Sequence, residues 1–149
     1  LGPFTALIGH SVGSAASLYA LAHGVRVTAS VHIAGPSSLR RVLVRFGSTF
    51  QIPRDQLDLL EQLMAERMGA PVDTMELENL KHGLRHPGLI LHDPADREVP
   101  YAEASALHAA WAQSVLLPTE GVGHRRILRD PAVVASAVDF IAQHAAAAP

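Results

Sequence analysis

Short aliphatic and β-branched runs alternate along this chain with segments whose apolar residues recur every three or four positions. That pattern predicts strands exchanged with amphipathic helices. Phe4 to Ile8 reads as a short buried strand, Ser14 to His23 as a small-residue helix closed by Gly24, and Val27 to Ala34 as an alternating strand ending at Gly35-Pro36. Strand, helix and strand in that succession predict a βαβ unit, with parallel strands and a right-handed crossover.

The alternation then gives way to helical spacing alone. Leu39, Val42, Leu43 and Phe46 share one helical face, with Ser37 or Ser38 placed to cap it. Pro53 opens a longer helix through Leu57, Leu60, Leu63, Met64 and Met68, stopped by Gly69. A shorter helix is expected through Leu77, Leu80 and Leu84, with Asp73 near its start. A single crossover helix needs only about a dozen residues. The expected organisation is therefore a core of 1–36 and 88–149 interrupted by a helical cap over about 37–87.

Strands resume at Gly88 to His92, followed by the loop His92-Asp93-Pro94-Ala95-Asp96-Arg97-Glu98-Val99-Pro100. A helix from Pro100 to Gln113 leads to a fourth strand, Val115 to Pro118, and to Thr119-Glu120-Gly121-Val122-Gly123-His124. Asp130 and Pro131 begin a last helix with Val133, Val134, Ala137, Val138 and Ile141 as its expected buried face; His144 to Pro149 reads as a fraying tail.

Composition narrows the function. Of 149 residues, 48% are hydrophobic and 17% charged, which fits one packed domain and excludes disorder. A net charge of −2 leaves no basic face for nucleic acid and no polybasic membrane patch. No apolar run approaches the ~20 residues of a membrane helix. Without cysteine there is no disulfide, thiolate nucleophile or Cys-based zinc site, and no histidine spacing suggests a metal or other cofactor. No signal peptide is visible, so a cytoplasmic location is expected. The chain begins Leu1-Gly2-Pro3, directly ahead of a core strand and without Met, which suggests that it is part of a longer one.

The chemistry gathers at Gly9-His10-Ser11-Val12-Gly13, between the first strand and the first helix. Gly-x-Ser-x-Gly at such a junction is the signature of a sharp turn that presents a serine hydroxyl clear of the chain. Gly9 and Gly13 lack the Cβ that would keep strand and helix apart. Groups outside the carboxyl ends of parallel strands meet in one crevice. Three strand ends present Ser11, then Asp93 and Asp96, then His124. In that order the chain resembles the α/β-hydrolase superfamily, in particular bacterial serine hydrolases of the esterase type. The likeness rests on Gly9–Gly13, His92–Pro100 and Gly121-Val122-Gly123-His124-Arg125-Arg126-Ile127-Leu128.

The resemblance implies an α/β fold: a predominantly parallel, four-stranded half of an α/β-hydrolase sheet with flanking helices and an inserted helical cap. It implies Ser11 as nucleophile, His124 as base and Asp96, in the D-x-x-V-P pattern, as acid. Asp93 is the competitor, with shaping the turn as its other role. Val12 N–H would be one oxyanion donor, and in the family the second comes from a loop after an earlier strand. His10, Phe46, Phe50, Met64 and Met68 are the candidate substrate-lining residues, with packing of the cap onto the sheet as the competing role of the cap residues. The expected substrate is a small-molecule ester, cleaved through an acyl-enzyme. Thioester hydrolysis, lactone opening and acyl transfer are rivals on the same triad, and a non-catalytic fragment or binding module is the rival of another kind. The expected partner is the remaining, N-terminal half of the domain, or a second copy on the free edge of the first strand.

Overall fold

The computed structural model describes residues 5–146. Four strands, β1 (Ala6–His10), β2 (Ala29–Ile33), β3 (Gly88–His92) and β4 (Ser114–Pro118), form one sheet in sequence order. Every pairing is parallel; Ile8 lies opposite Val31, Ile33 opposite Leu91, and Leu91 opposite Leu117. Phe4, the first residue of the expected opening strand, lies outside the described residues. The strand itself is an edge strand rather than a buried one. Among the described residues it pairs only with β2, and Ile8 is 57% exposed.

Both faces of the inner strands are covered, as parallel sheets require. On one face Val31, Ile33, Leu89 and Leu91 pack against Val133 and Ala137 of α7 (Pro131–Ala146). On the other, Ile90 packs with Leu18 of α1 (Val12–Ala22) and with Leu107 of α5 (Tyr101–Ala110), beside Trp111. The alternation in β2 thus has a cause on each side: Val31 and Ile33 meet α7, while on the other face His32 meets Ser14 of α1 and Trp111 just after α5, and Ser30 meets His32 and His86. Ser30 and His32 are both fully buried, and hydroxyl–imidazole hydrogen bonds satisfy them.

Asp130 caps α7 by accepting from the amides of Ala132 and Val133. Val133 and Ala137, four residues apart, make its buried stripe; Val134 and Val138, expected there, lie round the helix and are exposed. The last helix runs to Ala146, so His144 is helical rather than in a frayed tail; 147–149 lie outside the described residues.

All regular structure in the segment between β2 and β3 is helical. Ser38 Oγ accepts from Arg41 N at 3.1 Å and caps α2 (Leu39–Phe50). α3 (Arg54–Met68) ends at Gly69 in the left-handed region, φ 69°. The expected third helix is broken into a 3-10 turn (Val72–Met75), a single α-turn, α4 (Leu77–Leu80), and a second 3-10 turn (Lys81–Gly83). Leu39 and Leu43 seat α2 on Ala15 of α1, together with Val72 and Met75. α3 is the outer layer and buries none of its side chains fully; Leu63 and Met68 of its expected inner face are exposed.

Candidate active site

β1 ends at His10, and the chain reverses through Ser11 directly into α1. Ser11 takes φ 54° and ψ −125°, a conformation that costs a non-glycine residue about 1–3 kcal/mol and persists only when its surroundings hold it. They do: Ser11 N–H donates to the Ile33 carbonyl at 2.9 Å, and Ser14 N–H donates to the Ser11 carbonyl at 2.9 Å. A Cβ on Gly9 would lie 2.5 Å from the Gly13 carbonyl oxygen. Here the absent side chain is a steric necessity. At Gly13 a Cβ would meet nothing, so the close approach expected of that residue belongs instead to Gly9 and to Gly35, whose Cβ would enter Ser14.

The turn aims Ser11 at the loop after β4. Ser11 Oγ lies 3.0 Å from His124 Nε2, and His124 Nδ1 lies 2.7 Å from Asp96 Oδ2. With its proton on Nδ1, the imidazole donates to Asp96 and leaves Nε2 to accept from the serine hydroxyl. Asp96 is buried, and its other oxygen accepts from the amides of Glu98 at 2.7 Å and Val99 at 2.9 Å. The carboxylate is thereby locked toward the histidine. His92, buried behind it, donates from Nε2 to the Val99 carbonyl at 2.9 Å and steadies the same turn.

Asp93, the competing acid, does not touch His124. Its Oδ1 accepts from Ala95 N at 2.8 Å and its Oδ2 from Gly123 N at 2.6 Å. It therefore ties the loop after β3 to the residue before His124. Burial alone would raise its carboxyl, but the amides of Gly123, Ala95 and Val122 hold it below the ordinary carboxylate value. Gly121 and Gly123, both at positive φ, let the loop fold back, and His124 lies in the first turn of the short helix α6 (Gly123–Arg126) rather than in a flexible loop. His10 adds a clamp from the strand: its Nε2–H donates to the His124 carbonyl at 2.8 Å.

An open cleft of about 1110 Å³ lies over Ser11 and His124, between α2 and the loop after β3. Phe46 and Phe50 line it, their rings 4.8 Å apart. Met64 and Met68 do not: Met64 packs against the cluster that seats α2 on α1, and Met68 is exposed on α3. Val12 begins α1, so its N–H has no acceptor within the helix. At the rim, buried Glu103 accepts from Ser37 N (2.9 Å) and Oγ (2.7 Å) and pairs with Arg41 at 2.7 Å, fixing α2 over the sheet. Burial would raise this carboxyl too; Arg41 and Ser37 hold it low. The Glu103 contacts, the Asp93–Gly123 contact and the His10 contact have no motif, since each joins residues 60 or more apart, or from separate loops.

Among the described residues no group of three or more His, Asp or Glu could hold a metal ion, and no helix is long and apolar enough to cross a membrane. No family model matches the chain, and no curated protein matches its sequence. Solved structures do match its shape. The esterase domain of a Rhodothermus marinus protein is 22% identical with a TM-score of 0.59 over 96% of this chain. The α/β hydrolase GrgF of a Penicillium species is 18% identical, with a TM-score of 0.60 over 95%, and a Pyrococcus furiosus esterase 17% identical, with 0.65 over 96%. The chain spans 59%, 64% and 54% of the lengths of those three structures. Likeness of shape at such low identity speaks for architecture, and it establishes that this chain has part of the α/β-hydrolase fold.

Proposed function

We propose that this chain carries the catalytic residues of a serine hydrolase that cleaves a carboxylic ester through an acyl-enzyme. The observation that carries the reading is the unbroken relay Ser11 Oγ, His124 Nε2, His124 Nδ1, Asp96 Oδ2, with steps of 3.0 and 2.7 Å. The solved esterases that share the fold support it.

In this reading Ser11 Oγ attacks the ester carbonyl carbon as its proton passes to His124 Nε2. Asp96 stabilises the imidazolium without taking the proton. The tetrahedral oxyanion accepts from Val12 N–H, a contact of a kind worth about 10²–10³-fold in rate. Collapse expels the alcohol, which leaves with the proton from His124. Water then repeats the sequence on the acyl-enzyme, releasing the acid and restoring Ser11. A second oxyanion donor would come from a loop after a strand paired with the edge of β1, in the same chain or a second copy, and the exposed edge at Ile8 supports that placement. The 37–87 helices act as the cap, with Phe46 and Phe50 against the substrate.

A fluorophosphonate probe tests the nucleophile in the full chain that carries these residues. Wild type should be labelled and Ser11→Ala should not. A folded wild-type sample that takes no label, with the β1 edge paired, would refute the reading and favour a non-catalytic module.

A further inference from the structure

The cleft over Ser11 is divided chemically. Val44, Phe46 and Phe50 of α2 face it with apolar surface, while the remaining wall is rich in guanidinium. Five arginines line it, Arg40, Arg41, Arg45, Arg97 and Arg125, against two carboxylates, Glu98 and Glu103. Three of the five are matched. Arg41 pairs with Glu103 at 2.7 Å and Arg125 with Glu98 at 2.9 Å. Arg40 pairs outside the cleft, with Asp73 at 2.6 Å and Glu61 at 2.9 Å.

Arg45 and Arg97 are different. Among the described residues neither has a carboxylate within 4.0 Å, yet Arg45 Nη2 donates to the Arg97 carbonyl at 2.6 Å. The Arg45 guanidinium thus joins α2 to the backbone of the Arg97 turn, and both arginines stand exposed on the cleft in a chain of net charge −2. The placement of Arg97 is not loose: it stands between Asp96 and Glu98, in the turn that Asp96 Oδ1 fixes through the Glu98 and Val99 amides. That turn also carries the histidine's carboxylate partner. The backbone from which Arg97 projects is therefore fixed relative to Ser11 and His124.

We propose that Arg45 and Arg97 form an anion subsite of the ester-binding cleft. The substrate class is an ester carrying a carboxylate or phosphate group beyond a short apolar segment. The guanidinium fork matches either oxo-anion in two-point contact, and Phe46 and Phe50 cover the apolar segment. An excess of one sign of charge along a cleft, here five arginines against two carboxylates, also raises the encounter rate of an oppositely charged substrate. The proposal names the substrate class of the hydrolase reading above and rests on it.

The test compares an aryl hemisuccinate with the neutral aryl valerate of matching length, in the full chain. The expected kcat/KM ratio favours the anion by about tenfold, and shrinks as salt rises from about 0.05 to 0.5 M because the pair is exposed to screening. The ratio should fall to within about twofold of unity in Arg45→Gln/Arg97→Gln and recover in part with Arg97→Lys. Succinate or inorganic phosphate, added as inhibitor, identifies the anion: inhibition by one alone assigns the group, and inhibition by neither overturns the subsite. Equal turnover of the two esters, or a preference that survives the double substitution, also overturns it. The same two esters titrated calorimetrically into Ser11→Ala separate the subsite from the chemistry. Selective binding of the hemisuccinate there, lost in the arginine variants, upholds the subsite even where wild type turns over neither ester and the hydrolase reading fails.

Discussion

Mild acid should destabilise this protein through His32, a residue outside the site. The ring is fully buried in β2, with Nδ1 2.9 Å from Ser14 Oγ, Nε2 3.0 Å from Ser30 Oγ, and Trp111 packed edge-on at 5.3 Å. Burial first, and the neighbouring His86 second, push its pKa from 6.5 down to about 3. Below pH 6.5 the unfolded chain therefore binds a proton that the folded chain refuses, so stability falls as pH drops through 6.5 and goes on falling until about 3. Linkage makes the loss about 2 kcal/mol at pH 5 and about 3 kcal/mol at pH 4 relative to neutral pH, against the roughly 5–15 kcal/mol that domains have in total. His86, itself lowered by burial, adds in the same direction. The lowered carboxylates Asp93 and Glu103 lose their contribution only as pH falls past their ordinary values of 3.8 and 4.5, so the interval from 6.5 to 5 belongs to the histidines. Urea unfolding followed by the single, buried Trp111 at pH 7.5, 6 and 5 measures the effect. His32→Gln should be less stable at pH 7.5 but flatter toward pH 5 by about 2 kcal/mol. Equal wild-type stability at pH 7.5 and 5, or an unchanged slope in His32→Gln, would refute the reasoning.

Two further substitutions probe the frame of the site. Gly9→Ala drives a methyl into the Gly13 carbonyl of the helix backbone, which cannot move aside as a side-chain tip can; a loss of about 1–3 kcal/mol in thermal or urea unfolding is expected, whereas Gly13→Ala, in open space, should lose far less. Asp93→Ala leaves the Gly123 and Ala95 amides without their acceptor, so about 1–3 kcal/mol of stability should go, and hydrogen exchange at Gly123 should quicken more than exchange in β3.

Much of the fold was legible because it is written in local periodicity. The boundaries of β3, the caps at Ser38, Gly69 and Asp130, and the parallel βαβ start each follow from residues within one turn or one strand of one another. The departures have a common origin in packing between distant segments. Val134 and Val138 are as apolar as Val133, and only the way α7 lies on β2 exposes them. Met64 and Met68 continue an amphipathic pattern that also describes a cleft wall, and only the placing of α3 outside α2 removes them from it. Gly9 and Gly13 are equivalent in the motif, but one touches the helix backbone and the other faces open space.

For the candidate site the division is similar. The sequence by itself determined the cast: a serine in a strand-to-helix turn, acids and a histidine at later strand ends, and their order along the chain. Only the tertiary structure decided which acid meets the histidine. Asp93 and Asp96 sit three residues apart in one loop, and either could be drawn as the partner. The choice falls to Asp96 because Asp93 spends both oxygens on backbone amides, one of them at Gly123. The pairing of Arg45 with Arg97 across 52 residues was equally invisible. Spacing encodes what a segment becomes, since helices and strands repeat within a few residues. It does not encode which loops meet over the end of a sheet, because that depends on strand order and on the volume of every side chain beneath them.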